Sequence, residues 1–179
     1  GIISNGGSAA NVIPASADCE FCIRADTMKR IEGLIDVIKL CVRNAEQLTG
    51  AKADISWGEI SAERYPNRPM CQAFKDNMEI LGIEMKWPDP KAQYGSSDIG
   101  NVSIKIPAIH DYLSITDEEI PAHSKEYAKA AAEPAADEIC IKGAQGLAMT
   151  GLDLLLDESL RQAAAEYHEK VVPDFYKEK

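Results

Sequence analysis

The chain has 179 residues and a formal net charge of -10, from 29 acidic and 19 basic side chains. That balance argues against phosphate backbones and anionic membranes as main partners, so neither a nucleic acid nor a membrane surface is expected. Hydrophobic residues make up 45% of the sequence, enough for the core of one ordinary domain or two small ones, which excludes wholesale disorder.

"GIIS" is a short strand candidate, and "NGG" marks a turn after it. Residues 17 to 25, "ADCEFCIRA", alternate: Ala17, Cys19, Phe21 and Ile23 on one face, Asp18, Glu20, Cys22 and Arg24 on the other. That pattern predicts a half-buried strand. Cys19 and Cys22 form a C-x-x-C, but residues three apart on a strand point to opposite faces, and no second C-x-x-C completes a zinc site. The five cysteines read as buried thiols of a reducing cytoplasm. From Asp26 to Gly50 the apolar residues Met28, Ile31, Leu34, Ile35, Ile38, Cys41, Val42, Ala45 and Leu48 recur at helical spacing. Asp26 or Thr27 is available as N-cap and Gly50 as the stop. "ADISW" then reads as a strand. Strand, helix and strand within residues 1 to 57 predict part of a small α+β sandwich, a helix packed on an antiparallel sheet.

The polar, turn-rich "GEISAERYP" at 58 to 66 predicts a domain boundary. A helix begins near Pro69 with Met70, Ala73, Phe74, Met78 and Leu81 on one face and Gly82 at its end. "KWPDPKAQYGSSD" is a loop, and "IPAIHDYLSI" contains a strand candidate after Pro107. From Lys125 onward the chain reads as helical. "IKGAQGLAMTGLDLLL" is apolar nearly all round, and Gly143, Gly146 and Gly151 are expected to permit close packing against a sheet. A last amphipathic helix uses Leu160, Ala163, Ala164, Tyr167 and Val171 and ends before Pro173. No basic-then-apolar signal segment and no 18-residue apolar run is read, so export or spanning is not expected. The first residue is glycine, so a processed, tagged or partial chain is expected.

Three histidines are candidates for chemistry. His168, among charged neighbours on the last helix, reads as a surface residue. His110, in the presumed strand, reads as structural, with a site role open. His123 sits at a loop-to-helix junction. A metal site needs three or four ligands. Asp98, His110, Asp111 and His123 are available, yet no H-x-x-x-H, H-x-D or D-x-H pair occurs, nor any G-x-S-x-G or phosphate loop. The residues alone define an α/β protein and no activity.

Three stretches carry a resemblance: "GGSAANVIPASADCEFCIRA", "YGSSDIGNVSIKIPAIHDYLSI" and "PAHSKEYAKAAA". They resemble the C-terminal part of the zinc-dependent amidohydrolase and metallopeptidase family of aminoacylases, succinyl-diaminopimelate desuccinylase and p-aminobenzoyl-glutamate hydrolase, nearest its p-aminobenzoyl-glutamate hydrolase and dipeptidase-like branch. The resemblance implies an α/β chain in two pieces. Residues 1 to 57 would be a partial, ferredoxin-like α+β lid that serves dimerisation. Residues 58 to 179 would be the C-terminal part of a three-layer α/β/α catalytic domain.

By the same resemblance Asn11 and Arg24 would hold a substrate carboxylate, which suits a neutral amide donor beside a two-pronged guanidinium. The alternative, a turn former and a solvated strand residue, stays open. His123 matches the last ligand of a site for two divalent ions, expected to be zinc. Gly95, Ser96 and Ser97 match a loop lining the substrate cleft, with Asp98 as cap of the next helix. The implied reaction is metal-assisted hydrolysis of an amide in an N-acyl amino acid or dipeptide with a free carboxylate, by a homodimeric enzyme. The family's other ligands and its general base lie upstream and have no counterpart here. The chain alone is therefore expected to be inactive and to hold no metal tightly, and a non-catalytic association module derived from the family is the rival expectation.

Overall fold

The computed structural model describes residues 1–89 and 95–177. The chain divides into two compact units, Gly1–Glu63 and Arg64–Lys179.

In the first unit β1 (Ile2–Asn5) pairs antiparallel with β2 (Asp18–Glu20), in the register Ile2 to Glu20, Ile3 to Cys19 and Asn5 to Asp18. Every residue of this ribbon is exposed. The strand expected over 17 to 25 therefore stops at Glu20, because the residues beyond it find no ladder partner. A bare two-stranded ribbon has little to extend it.

Helix α1 (Met28–Thr49) matches its sequence signature closely. Thr27 caps it, its side chain accepting from the Arg30 N–H, and Gly50 ends it at φ 76°, a left-handed conformation that glycine adopts without strain. Ile31, Ile35, Ile38 and Val42 form a half-buried stripe, and no residue of the helix is fully buried. "ADISW" forms no strand. Its polar groups go to the helix instead: the Ala53 N–H donates to Glu46 Oε1 at 2.8 Å, and the Lys39 ammonium lies 5.7 Å from the Trp57 ring centroid.

The second unit is helical. Helix α2 (Arg68–Ile80) is followed by α3 (Ile99–Ser103), α4 (Lys125–Ala130), α5 (Pro134–Leu156), α6 (Glu158–Val171) and α7 (Asp174–Lys177). Helix α2 packs on both α5 and α6 and carries the buried Cys71, Phe74, Asn77 and Met78. Its cap, Asn67, is 1% exposed and holds two elements: its Oδ1 accepts from the Met70 N–H at 3.3 Å and its Nδ2 donates to the Ala164 carbonyl at 2.8 Å. Asn77 ties α2 to α5, donating to Thr150 Oγ1 at 3.2 Å and Asp153 Oδ2 at 2.7 Å.

The glycines of α5 do permit close approach, but to a helix and a loop rather than a sheet. A Cβ on Gly146 would lie 2.4 Å from Met78 Sδ, and one on Gly143 would lie 2.8 Å from Leu113 Cδ1, whereas Gly151 meets nothing within 4 Å. The strand expected after Pro107 is reduced to one parallel bridge between Pro66 and Ala108, closed by the Asn67 N–H on the Ala108 carbonyl at 2.9 Å. Both flanking prolines lack an N–H, so the ladder cannot extend through them. The described residues are thus mostly helical with one two-stranded sheet, and neither a complete α+β sandwich nor a three-layer α/β/α arrangement is present among them.

Candidate functional site

His123 lies in the turn before α4, directly ahead of the cap Ser124, whose Oγ accepts from the Tyr127 N–H at 3.0 Å. Its φ is 63°, the one positive value at a non-glycine among the described residues. Histidine tolerates this region better than most residues, yet it still costs about 1–3 kcal/mol, and such strain concentrates at functional positions. The residue is exposed. Beside it, Pro121 and Tyr127 help line an open cleft of about 470 Å³, with Glu118, Glu119, Ile120 and Leu113.

No group of three or more His, Cys, Asp or Glu side chains among the described residues is placed to hold a metal ion. The residues present therefore do not by themselves fit either ion of a two-metal centre. His123 offers one nitrogen.

Asn11 is exposed in a turn closed by the Val12 N–H on the Ala9 carbonyl at 3.2 Å. Arg24 is exposed in the irregular segment between β2 and α1, past the point where the strand ends, and it forms no ion pair among the described residues. No hydrogen bond joins the two.

Of the predicted loop, residues 90 to 94 lie outside the described residues. Gly95 and Ser96 are exposed and Ser97 is half-buried. Asp98 occupies the cap position of α3 but makes no capping bond, because its own backbone is already helical at φ -59° and ψ -19°. Ser97 supplies the bond instead, accepting from the Ile99 N–H at 3.4 Å.

A node that the sequence does not reveal centres on Arg64. Its Nη1 donates to Tyr112 Oη at 2.8 Å and faces His110 Nδ1 at 3.2 Å, while its Nη2 donates to the Gly95 carbonyl at 3.2 Å. A guanidinium only donates, so His110 Nδ1 accepts and the ring hydrogen sits on Nε2. His110 and Tyr112 stack with centroids 4.9 Å apart at 26°. The node fixes the Gly95 end of the loop to the segment carrying His110. Arg64 falls in the stretch read as a polar boundary, and its partners lie 31 to 48 positions away, so only long-range folding reveals it.

Asp111, next in sequence, has a buried Oδ2 with no hydrogen-bond partner. Burial raises its carboxyl above the ordinary range, against the opposing effects of Cys71 and His110. The neighbouring Cys71 thiol is pushed up to about 12, first by burial and then by Asp111. The expectation of five buried thiols is corrected here: Cys71 is buried, and Cys19, Cys22, Cys41 and Cys140 are exposed. Cys19 lies on an uncovered ribbon and Cys140 on the outward side of α5. His168 departs in the opposite sense. It is half-buried, and its Nε2 donates to the Ser103 carbonyl at 2.9 Å, clamping α6 to α3.

No family model matches the chain. Its relatives among known proteins are dipeptidases, matched over part of their length. It is 36% identical over 166 residues to the Xaa-Arg dipeptidase of Mus musculus, an alignment covering 89% of this chain and 38% of that protein. It is 33% identical over 169 residues to the Xaa-Arg dipeptidase of Homo sapiens, covering 93% of this chain and again 38% of that protein. The chain is thus a distant homologue of one segment of these dipeptidases and spans 38% of their length.

Proposed function

We propose that this chain is the C-terminal part of a metal-dependent dipeptidase that cleaves the amide bond of a dipeptide with a free carboxylate, and that residues outside the 179 complete its active site. The observation that carries the reading is the similarity to Xaa-Arg dipeptidases over 89% and 93% of the chain. In this reading His123 gives one ligand to a divalent ion, zinc for preference, which when bound supplies electrophilic activation of the scissile carbonyl. The strained backbone at His123 supports that role. Asn11 and Arg24 receive the substrate carboxylate, and their exposure leaves both side chains able to reach a ligand. Gly95, Ser96 and Ser97 would line the substrate cleft of the completed enzyme, with Arg64 holding the Gly95 end in place.

The test supplies the chain with the part of the mouse dipeptidase that it does not match, adds zinc, and follows hydrolysis of a dipeptide ending in arginine. Hydrolysis by the mixture, and by neither piece alone, is expected. A mixture as inert as its parts would sink the reading. Arg24→Ala should lower efficiency on the free dipeptide roughly tenfold to a hundredfold, the value of a charge-assisted hydrogen bond, and much less on its amide.

A further inference from the structure

Helix α5 is apolar nearly all round and leaves large aliphatic side chains on the exterior. The residues that meet α2 are small or polar: Gly146 and Thr150 are buried, and Asp153 is half-buried. The spacing of three and four between them is that of one helical stripe. Close approach of α2 demands small residues here, since a Cβ on Gly146 would lie 2.4 Å from Met78 Sδ. Five large aliphatic side chains lie outside that stripe. Ile141, Leu147 and Leu152 are more than half exposed, and Leu155 and Leu156 are each 77% exposed. A contiguous aliphatic surface of this kind marks a place where something else packs.

We infer that the outward face of α5 is a docking surface for the polypeptide that the full-length dipeptidases carry outside the segment matched here, and that this polypeptide meets it with an uncharged aliphatic face. The identity of the partner rests on the dipeptidase reading; the orientation of the helix does not. The chain spans 38% of the relatives' length, so the greater part of such a protein lies outside it. The exposed aliphatic side chains are unbroken by charge from Gly143 to Leu152, which leaves no ion pair to be satisfied by the partner. By length and composition α5 could also cross a membrane, contrary to the expectation from the sequence. Its other stripe, however, is fixed through Thr150 and Asp153 to Asn77 of α2, and α2 carries Arg68, Lys75, Asp76 and Glu79, charges that hydrocarbon would make costly.

The experiment mixes the 179-residue chain with the unmatched part of the mouse dipeptidase and measures association by light scattering and titration. Leu147→Glu combined with Leu152→Glu places charge on the outward face, a milder pair, Leu152→Gln with Leu155→Gln, guards against misfolding, and Ala165→Glu on the exposed side of α6 is the control. Melting of each variant alone should match the parent, because the altered side chains face solvent in this chain. A one-to-one complex is expected, weakened at least a hundredfold by the Glu pair, about tenfold by the Gln pair and not by Ala165→Glu. Absence of a complex, or a complex indifferent to both pairs, overturns the inference. So does self-association of the chain that the Glu pair abolishes, which would make the occupant a second copy, or flotation with phosphatidylcholine vesicles lost in the same variant, which would make it lipid. Hydrolysis in the same mixtures separates the two ideas. A complex that depends on α5 but is inert keeps the docking surface and removes the dipeptidase. Hydrolysis that survives the Glu pair keeps the dipeptidase and removes the docking surface.

Discussion

Replacing Gly146 by alanine should destabilise the second unit, although alanine is the better helix former. The added Cβ would lie 2.4 Å from Met78 Sδ and 3.0 Å from Phe74 Cε2, both nearer than van der Waals contact. Met78 is 0% exposed and Phe74 3% exposed, so neither side chain has free space to retreat into. Overpacking a filled core costs about 1–3 kcal/mol, and the helix gains about 1 kcal/mol from losing a glycine. With two buried contacts to relieve, the net loss should be about 1–2 kcal/mol. Gly151, in the same helix, has nothing within 4 Å of its would-be Cβ, so Gly151→Ala should stabilise by about 0.5–1 kcal/mol. Urea unfolding of the two variants followed by circular dichroism gives the comparison. Equal stabilisation by both substitutions would refute the packing of α5 on α2.

Asn67→Ala removes the cap of α2 and strands the Ala164 carbonyl, so the midpoint of unfolding should fall by the equivalent of about 2–4 kcal/mol, read by the same urea titration. Iodoacetamide at pH near 8 should alkylate Cys19, Cys22, Cys41 and Cys140 in the native protein and spare Cys71, whose thiol is buried and pushed up to about 12; mass spectrometry that finds Cys71 modified first would contradict this. Asp111 has a folded-state carboxyl raised above its ordinary 3.8, so the native state holds its proton more firmly than the unfolded one. Stability should therefore fall as pH rises from about 3.8 through the raised value, and Asp111→Asn should remove that decline and be the more stable variant at neutral pH. A variant less stable than the parent at pH 7 would show that the charged carboxylate is satisfied.

The helices were legible because their signals are local. Thr27 and Gly50 bracket α1, Pro69 and Gly82 bracket α2, and each stripe recurs within a few residues. The strands were less so, because a strand exists only where a neighbour pairs with it. "ADISW" and "IPAIHDYLSI" have strand composition, but the first gives its polar groups to α1 and the second forms a single backbone bridge, Ala108 with Pro66. Gly143 and Gly146 of α5 are points of close approach as expected and Gly151 is not; composition does not say what approaches, and Met78 on a helix and Leu113 on a loop take the place of a sheet. Of the candidate site, the loop-to-helix junction of His123 is legible in its flanking residues, and the structure has a left-handed histidine there; its ligand role comes from the resemblance alone. Arg64 was invisible, since an arginine in a polar stretch has no local mark of the three groups it joins. The capping role given to Asp98 passed to Ser97, one residue away, a shift set by backbone angles that the sequence does not specify.

The most direct measurement on the central claim is His123→Gly, made in the chain and assayed with the unmatched part of the mouse dipeptidase and zinc. Glycine is at ease at φ 63°, so the substitution relieves the backbone while deleting the imidazole. The account predicts opposite signs: melting of the chain unchanged or higher by a few degrees, and hydrolysis of the arginine dipeptide reduced at least a hundredfold. Full hydrolysis by His123→Gly would show that the histidine holds no metal there and would contradict the dipeptidase site as drawn.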